Sequence, residues 1–121
     1  MSDHEEARKI IEGYTRAWTT GDLGTARKYL ADDLQFRGSI DNFNDADSLI
    51  SALSVFLHIL KSVDMISTFY HDDEAMQMYD CVTDSPAGTI RTVEYFKLSD
   101  GKITEIKVIF DASELRKFMN E

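Results

Sequence analysis

GTIRTVEYFKLSDGKITEIKVIFD, residues 88–111, reads as two strands folded back on each other at Ser99-Asp100-Gly101-Lys102. Asp-Gly between alternating apolar runs is a strong hairpin signal, because a type I′ turn needs positive φ at both central residues. In the first run Ile90, Thr92, Glu94, Phe96 and Leu98 share one face, and Arg91, Val93, Tyr95 and Lys97 the other. In the second run Thr104, Ile106, Val108 and Phe110 share a face, opposite Ile103, Glu105, Lys107 and Ile109. Both faces carry apolar groups, so the sheet is expected to be covered on both sides. Glu94 is the odd residue. It stands between Thr92 and Phe96 on a face that otherwise reads as buried. A carboxylate there needs partners or a cavity to face.

The chain has 121 residues, a length that suits one domain, residues 1–121. It is 43% hydrophobic and 29% charged, the composition of an ordinary globular protein. Thirteen basic against 22 acidic residues give a formal charge of −9, which argues against nucleic acid and against an anionic membrane surface as partners. The acidic start, Met1 to Glu6, has no apolar core of a signal peptide. Cys81 is the single cysteine, so no disulfide forms within the chain, and cytoplasmic residence is the expectation.

Residues 3–19 have the period of an amphipathic helix, with Ala7, Ile10, Ile11, Tyr14 and Trp18 on its apolar side and Ser2 with Glu5 as a capping box. Asp22 caps a short second helix over Leu23–Leu30, which Ala31-Asp32-Asp33 breaks. Leu34–Arg37 alternates as a strand and Gly38–Asn44 reads as a loop. Asn44 or Asp45 caps a third helix to about Leu60, with Leu49, Ile50, Leu53, Phe56, Leu57 and Leu60 as its buried stripe. Strands follow over Val63–Tyr70, Ala75–Thr83, Thr89–Leu98 and Ile103–Phe110, joined by connections short enough for antiparallel hairpins. Asp111 and Glu114 suit the cap of a last helix bearing Leu115, Phe118 and Met119. Helices first and strands after make an α+β layout, with the helices on one face of a curved antiparallel sheet.

The chain resembles the NTF2-like superfamily, in particular its SnoaL-like and ketosteroid-isomerase-like members. The resemblance rests on Tyr14-Thr15-Arg16-Ala17-Trp18 followed by Gly21-Asp22-Leu23, on Leu30-Ala31-Asp32-Asp33 before the first strand, and on Val93-Glu94-Tyr95-Phe96 leading to Asp100-Gly101-Lys102-Ile103 and Phe110-Asp111. It covers nearly the whole chain and implies a cystatin-like cone, in which a curved sheet wraps the long helix round an apolar pocket. It also implies a homodimer through the outer sheet face. It says little about activity, since this fold hosts isomerases, cyclases, dehydratases, epoxide hydrolases and modules without catalysis.

On that layout the pocket is expected to hold Tyr14, Asp80 and Glu94 as the acid–base groups. Trp18, Phe36, Phe56, Met76, Met78, Ile106, Val108 and Phe110 are expected as the apolar, substrate-binding wall. Met76, Met78, Asp80 and Val82 share one parity of their strand, and Cys81 takes the other. Two carboxyls in an apolar site repel when both ionise, so one pKa rises toward neutrality. A protonated carboxyl beside a tyrosine hydroxyl makes an oxyanion-binding pair. The resemblance gives that role to a first-helix tyrosine and an acid on the strand before the turn, positions that Tyr14 and Glu94 match. The base of the ketosteroid-isomerase-like pattern is missing, since Gly38 stands in its place and Asp41 is the nearest carboxylate in the following loop. The Asp–Arg–Asp group of the epoxide-hydrolase pattern is not formed either, because Arg91 falls on the face opposite Glu94.

No cofactor is implied, and His4, His58 and His71 are too scattered for a metal site. Three uses stand open: cofactor-free acid–base catalysis on an apolar, carbonyl-bearing molecule, binding of such a molecule without turnover, or protein interaction through the outer face. On that face Val93, Tyr95, Ile103 and Ile109 are expected to be exposed unless a partner covers them.

Overall fold

Alternation over residues 74–110 folds into three long antiparallel strands, and the rest of the chain is arranged around them. The computed structural model describes residues 3–113 and Arg116. The elements are α1 (Asp3–Thr19), α2 (Leu23–Lys28), β1 (Leu30–Arg37), β2 (Asn42–Phe43), α3 (Ala46–Phe56), β3 (Leu60–His71), β4 (Glu74–Thr83), β5 (Thr89–Ser99) and β6 (Lys102–Phe110). They form one six-stranded sheet in the order β2-β1-β6-β5-β4-β3. Asp100 and Gly101 take φ of 53° and 78° between the paired Ser99 and Lys102, as a two-residue type I′ turn requires.

The strands are not wholly antiparallel, since β1 enters beside β6 in parallel, with Phe36 opposite Ile106. Irregular register in the β1–β6, β3–β4 and β5–β6 pairs marks β-bulges, which bend strands and sharpen their twist. Beyond Lys97↔Glu105 the pairing shifts by one, so that Leu98 stands opposite Ile103. That extra residue turns Ile103 inward with Ile106, and both are fully buried. The expectation that Ile103 lies on the outer face is therefore corrected: a strict period of two does not survive a bulge.

The helices follow their caps. Asp22 accepts from the Thr25 N–H at 3.2 Å and Asp45 from the Ser48 N–H at 2.7 Å. The apolar side of α1 buries Ala7, Ile10, Ile11, Tyr14, Ala17 and Trp18 against the sheet. Three stretches depart most from the periodicity reading. α2 ends at Lys28 and β1 starts at Leu30, taking in Ala31-Asp32-Asp33. β2 forms inside the expected loop by pairing Phe43 with Phe36. α3 stops at Phe56 because its last turn tightens, with the Ile59 N–H bonded to the Phe56 carbonyl and Leu60 drawn into register with Thr83. Ser2 and the remainder of the expected last helix, Glu114, Leu115, Phe118 and Met119, lie outside the described residues.

The largest fully buried side chains are Ile11, Tyr14, Leu30, Leu34, Phe96, Ile103 and Ile106, supplied by α1, β1, β5 and β6. The Tyr14 and Phe96 rings meet edge to face, centroids 6.1 Å apart. Replacing Phe96 by Ala leaves a cavity beneath Tyr14 and is expected to lower stability by about 3–5 kcal/mol, read from the midpoint and slope of urea unfolding.

Candidate functional site

The concave face of the sheet is closed by α1 and α3, but not filled. A cavity of about 370 Å³ remains, of the size that takes a small organic molecule. Tyr14 and Trp18 reach it from α1, Leu49, Leu53 and Phe56 from α3, and Phe36 and Phe43 from the β1–β2 hairpin. The sheet contributes Tyr79 and Cys81 from β4, Ile90, Thr92 and Glu94 from β5, and Val108 and Phe110 from β6. Ser39, Ile40 and Asp41 form part of its rim. The wall is apolar and aromatic apart from a few hydroxyls, a thiol and two carboxyl groups, and no basic side chain is among the described residues that line it.

Glu94 is the polar centre of this cavity. The alternation of β5 points it inward between Thr92 and Phe96, and it is 4% exposed. Its Oε1 accepts a 2.6 Å hydrogen bond from the Tyr79 hydroxyl. Burial pushes its pKa up from 4.5 to about 7, and the Tyr79 hydrogen bond offsets part of that rise. Near neutral pH the carboxyl therefore populates both forms, as acid–base chemistry and hydrogen-bond donation both require. The Tyr79 hydroxyl is held far above its ordinary range, first by burial and then by the Glu94 charge, so it stays a donor. Burial and then the Glu94 charge do the same to Tyr14. Tyr79, not Tyr14, is the hydrogen-bond partner of the carboxyl.

The structure brings Tyr14, Glu94, Trp18, Phe36, Phe56, Val108 and Phe110 to the cavity. Ile106 belongs to the packed core beneath it. The other three expected residues stand elsewhere. Met76 and Met78 are 46% and 39% exposed on the outer face. Asp80 is on that face too, with its two carboxylate oxygens 2.7 and 2.9 Å from the Arg91 guanidinium. Hydrogen bonding to Arg91 holds the Asp80 carboxyl below its ordinary range, so it is a paired surface charge and not a pocket base.

The reason is register. Asp80 pairs with Arg91 and Gln77 with Glu94, so odd-numbered residues of β4 share a face with even-numbered residues of β5. The same register turns Cys81 into the cavity wall, against the expectation that it faces away. Burial, then the Glu94 charge, raises its thiol pKa to about 12, so it is an inert thiol rather than a nucleophile. Tyr79 and Thr92, which the sequence reading did not select, complete the polar wall.

Two more polar atoms are noteworthy. The Trp18 indole Nε1 and the Gln77 Oε1 are buried without a hydrogen-bond partner among the described residues. Each unpaired group of this kind costs about 1–3 kcal/mol. A larger concavity of about 480 Å³ lies between the start of α1 and two hairpin turns, but it is an open groove edged by Glu6, Asp72, Asp73 and Asp100.

No protein-family model matches the sequence, and no curated protein matches it. Solved structures do. A protein from Kribbella flavida DSM 17836 is 27% identical, with a TM-score of 0.84 over 93% of this chain and 92% of that one. An NTF2-like protein of unknown function from Cytophaga hutchinsonii ATCC 33406 is 20% identical, with a TM-score of 0.80 over 91% and 94%. An LEH-like epoxide hydrolase from M. tuberculosis is 17% identical, with a TM-score of 0.75 over 93% and 88%. The chain has the NTF2-like fold, an α+β cone of helices on a bent sheet.

Because the folded Glu94 pKa lies above its unfolded value, the group contributes stability that is full below pH 4.5 and is lost as pH rises to about 7. Relative to Glu94→Gln, the parent protein should lose about 2–3 kcal/mol between pH 5 and pH 8, read from urea unfolding at each pH. Tyr79→Phe removes the bond that favours the ionised form, so the Glu94 midpoint should move above 7, read from its carboxyl ¹³C shift.

Proposed function

We propose that the cavity binds an apolar small molecule bearing a carbonyl group, and that Glu94 engages the carbonyl oxygen as a hydrogen-bond donor. One observation carries this reading: a buried carboxyl, fixed by Tyr79 at 2.6 Å and tuned by burial to about 7, faces a largely apolar chamber. The chemistry that fits is cofactor-free proton transfer of the isomerase, cyclase or dehydratase kind. Glu94 stabilises the oxygen on which charge develops, and Asp41, the other carboxylate on the wall, accepts the proton. Binding without turnover is the second reading. The placement of Asp80 with Arg91 favours it, because Glu94 is then the only buried carboxyl among the described residues that line the cavity.

The test is calorimetric binding of an aryl-ketone and enone panel, with proton exchange α to the carbonyl followed by NMR in D₂O. Affinity should fall about tenfold per unit above pH 7, since only the protonated carboxyl donates. Glu94→Gln retains a donor and should keep binding while lowering exchange by about 10²-fold or more. Asp80→Asn should change neither. Binding with no exchange selects the second reading, and no binding across the panel sinks both.

A homodimer through the outer sheet face is part of the same proposal. Phe69, Met76 and Tyr95 stand side by side across β3–β5, next to Met78, Val93 and Ile109 across β4–β6. Phe69 and Ile109 are 70% and 68% exposed, an apolar band of the kind that interfaces cover. Met76→Glu, placed mid-band, should convert a dimer to a monomer in sedimentation equilibrium. A parent protein that is already monomeric at micromolar concentration overturns the dimer.

A further inference from the structure

In its ionised form Glu94 is a buried carboxylate with no cation beside it. Burial raises its pKa to about 7 and the Tyr79 hydrogen bond offsets part of that rise, with no basic group contributing. Near neutral pH a large share of the molecules therefore carries the charge, and a buried charge calls for a partner. The groups that face it supply none. Tyr14 from α1 and Tyr79 and Cys81 from β4 are held neutral by burial and by the Glu94 charge itself. In the sheet Glu94 stands between Gln77 of β4, an uncharged amide, and Val108 of β6. The described residues of α3 on the wall are apolar, and the rim adds Asp41, a second carboxylate. The rest of the wall suits a cation, because aromatic faces attract positive charge. Tyr79, whose hydroxyl holds the carboxyl at 2.6 Å, has its ring centroid 6.2 Å from that of Trp18, and both residues line the cavity. Phe36, Phe56 and Phe110 line it with them. A carboxylate among aromatic rings round one hollow is the composition that recognises alkylated ammonium groups.

We infer that the cavity is also a site for an organic cation, a protonated tertiary amine with apolar substituents, whose N–H donates to the Glu94 carboxylate while its alkyl groups pack against the aromatic wall. The tertiary class follows from the supply of acceptors. A primary ammonium brings three N–H donors, and the wall has few acceptors besides Glu94, so a single N–H is the number that leaves no donor unpaired. This inference goes beyond the carbonyl-binding reading and does not rest on it. A ketone uses the protonated carboxyl and an amine the ionised one, so the two ligand classes respond to pH in opposite senses.

The probe is N,N-dimethylbenzylamine, titrated calorimetrically at pH 6, 7 and 8 beside the aryl-ketone panel. Amine affinity should rise about tenfold from pH 6 to pH 8, while ketone affinity falls by about the same factor. At pH 7 amine binding should release about half a proton per site, read from the dependence of the heat on the buffer's ionisation enthalpy, and ketone binding should take up about as much. Glu94→Gln keeps the shape and removes the charge, so it should lower amine affinity at pH 8 at least tenfold and abolish its pH dependence. Where that variant fails to fold, the Glu94 carboxyl ¹³C titration of the parent protein decides, since bound amine should move its midpoint below 7. No amine binding at pH 8, an affinity flat with pH, an unmoved midpoint, or binding that survives Glu94→Gln, with the cation then held by the rim carboxylate of Asp41, overturns the cation site. Because both ligand classes are measured in one series, ketone binding without amine binding overturns the cation site alone, and amine binding without ketone binding overturns the carbonyl reading alone.

Discussion

Taking a carboxyl group out of water without a cation beside it is the constraint on which the site depends. Glu94 sits at the wall of an apolar chamber with one tyrosine hydroxyl as its hydrogen-bond partner. Desolvation of the charged form is the larger effect and the Tyr79 bond the smaller, so the proton is held to about pH 7. A residue kept for stability alone at this position would be apolar, as Phe96 and Leu98 are further along the same face. A group that lowers stability as it ionises, on the wall of a hollow, is a perturbed carboxyl of the kind that clusters at functional sites.

The architecture serves that group in three ways. Alternation in β5 aims it inward. The pairing of β4 with β5 puts Tyr79 and Gln77 on its side of the sheet and sends Asp80 and Arg91 to the other. The bulge between Lys97 and Leu98 keeps Ile103, Ile106, Val108 and Phe110 together on the concave side, although their spacing breaks a strict alternation. Each is a matter of which face a residue takes, and an error of one residue in register exchanges the chamber for the outer surface.

The NTF2-like fold is a scaffold for many activities, so the cavity and not the cone carries the functional argument. The neighbours in fold include an epoxide hydrolase, yet here the Asp–Arg pair lies on the outer face, away from Glu94. The outer face is a separate feature, with its own chemistry: an apolar band of Phe69, Met76, Tyr95 and Ile109 rather than polar groups round a hollow.

Much of this was legible in the linear chain because it depends on local chemistry. The Asp100-Gly101 turn, the Asp22 cap, the apolar stripe of α1 and the inward set Ile90, Thr92, Glu94, Phe96 and Leu98 follow from dihedral preference and period, which need no distant partner. Glu94 stood out for the same reason, as a charge in an apolar alternation. Only the tertiary structure decided the rest. β4 is apolar on both parities, Met76 and Met78 on one and Ala75, Tyr79 and Cys81 on the other, so composition could not say which side met α1. The bulge that carries Ile103 inward, the early end of α3 at Phe56 and the choice of Tyr79 over Tyr14 as partner of Glu94 arise from strand pairing and packing between residues far apart in sequence. Period and propensity do not encode those contacts.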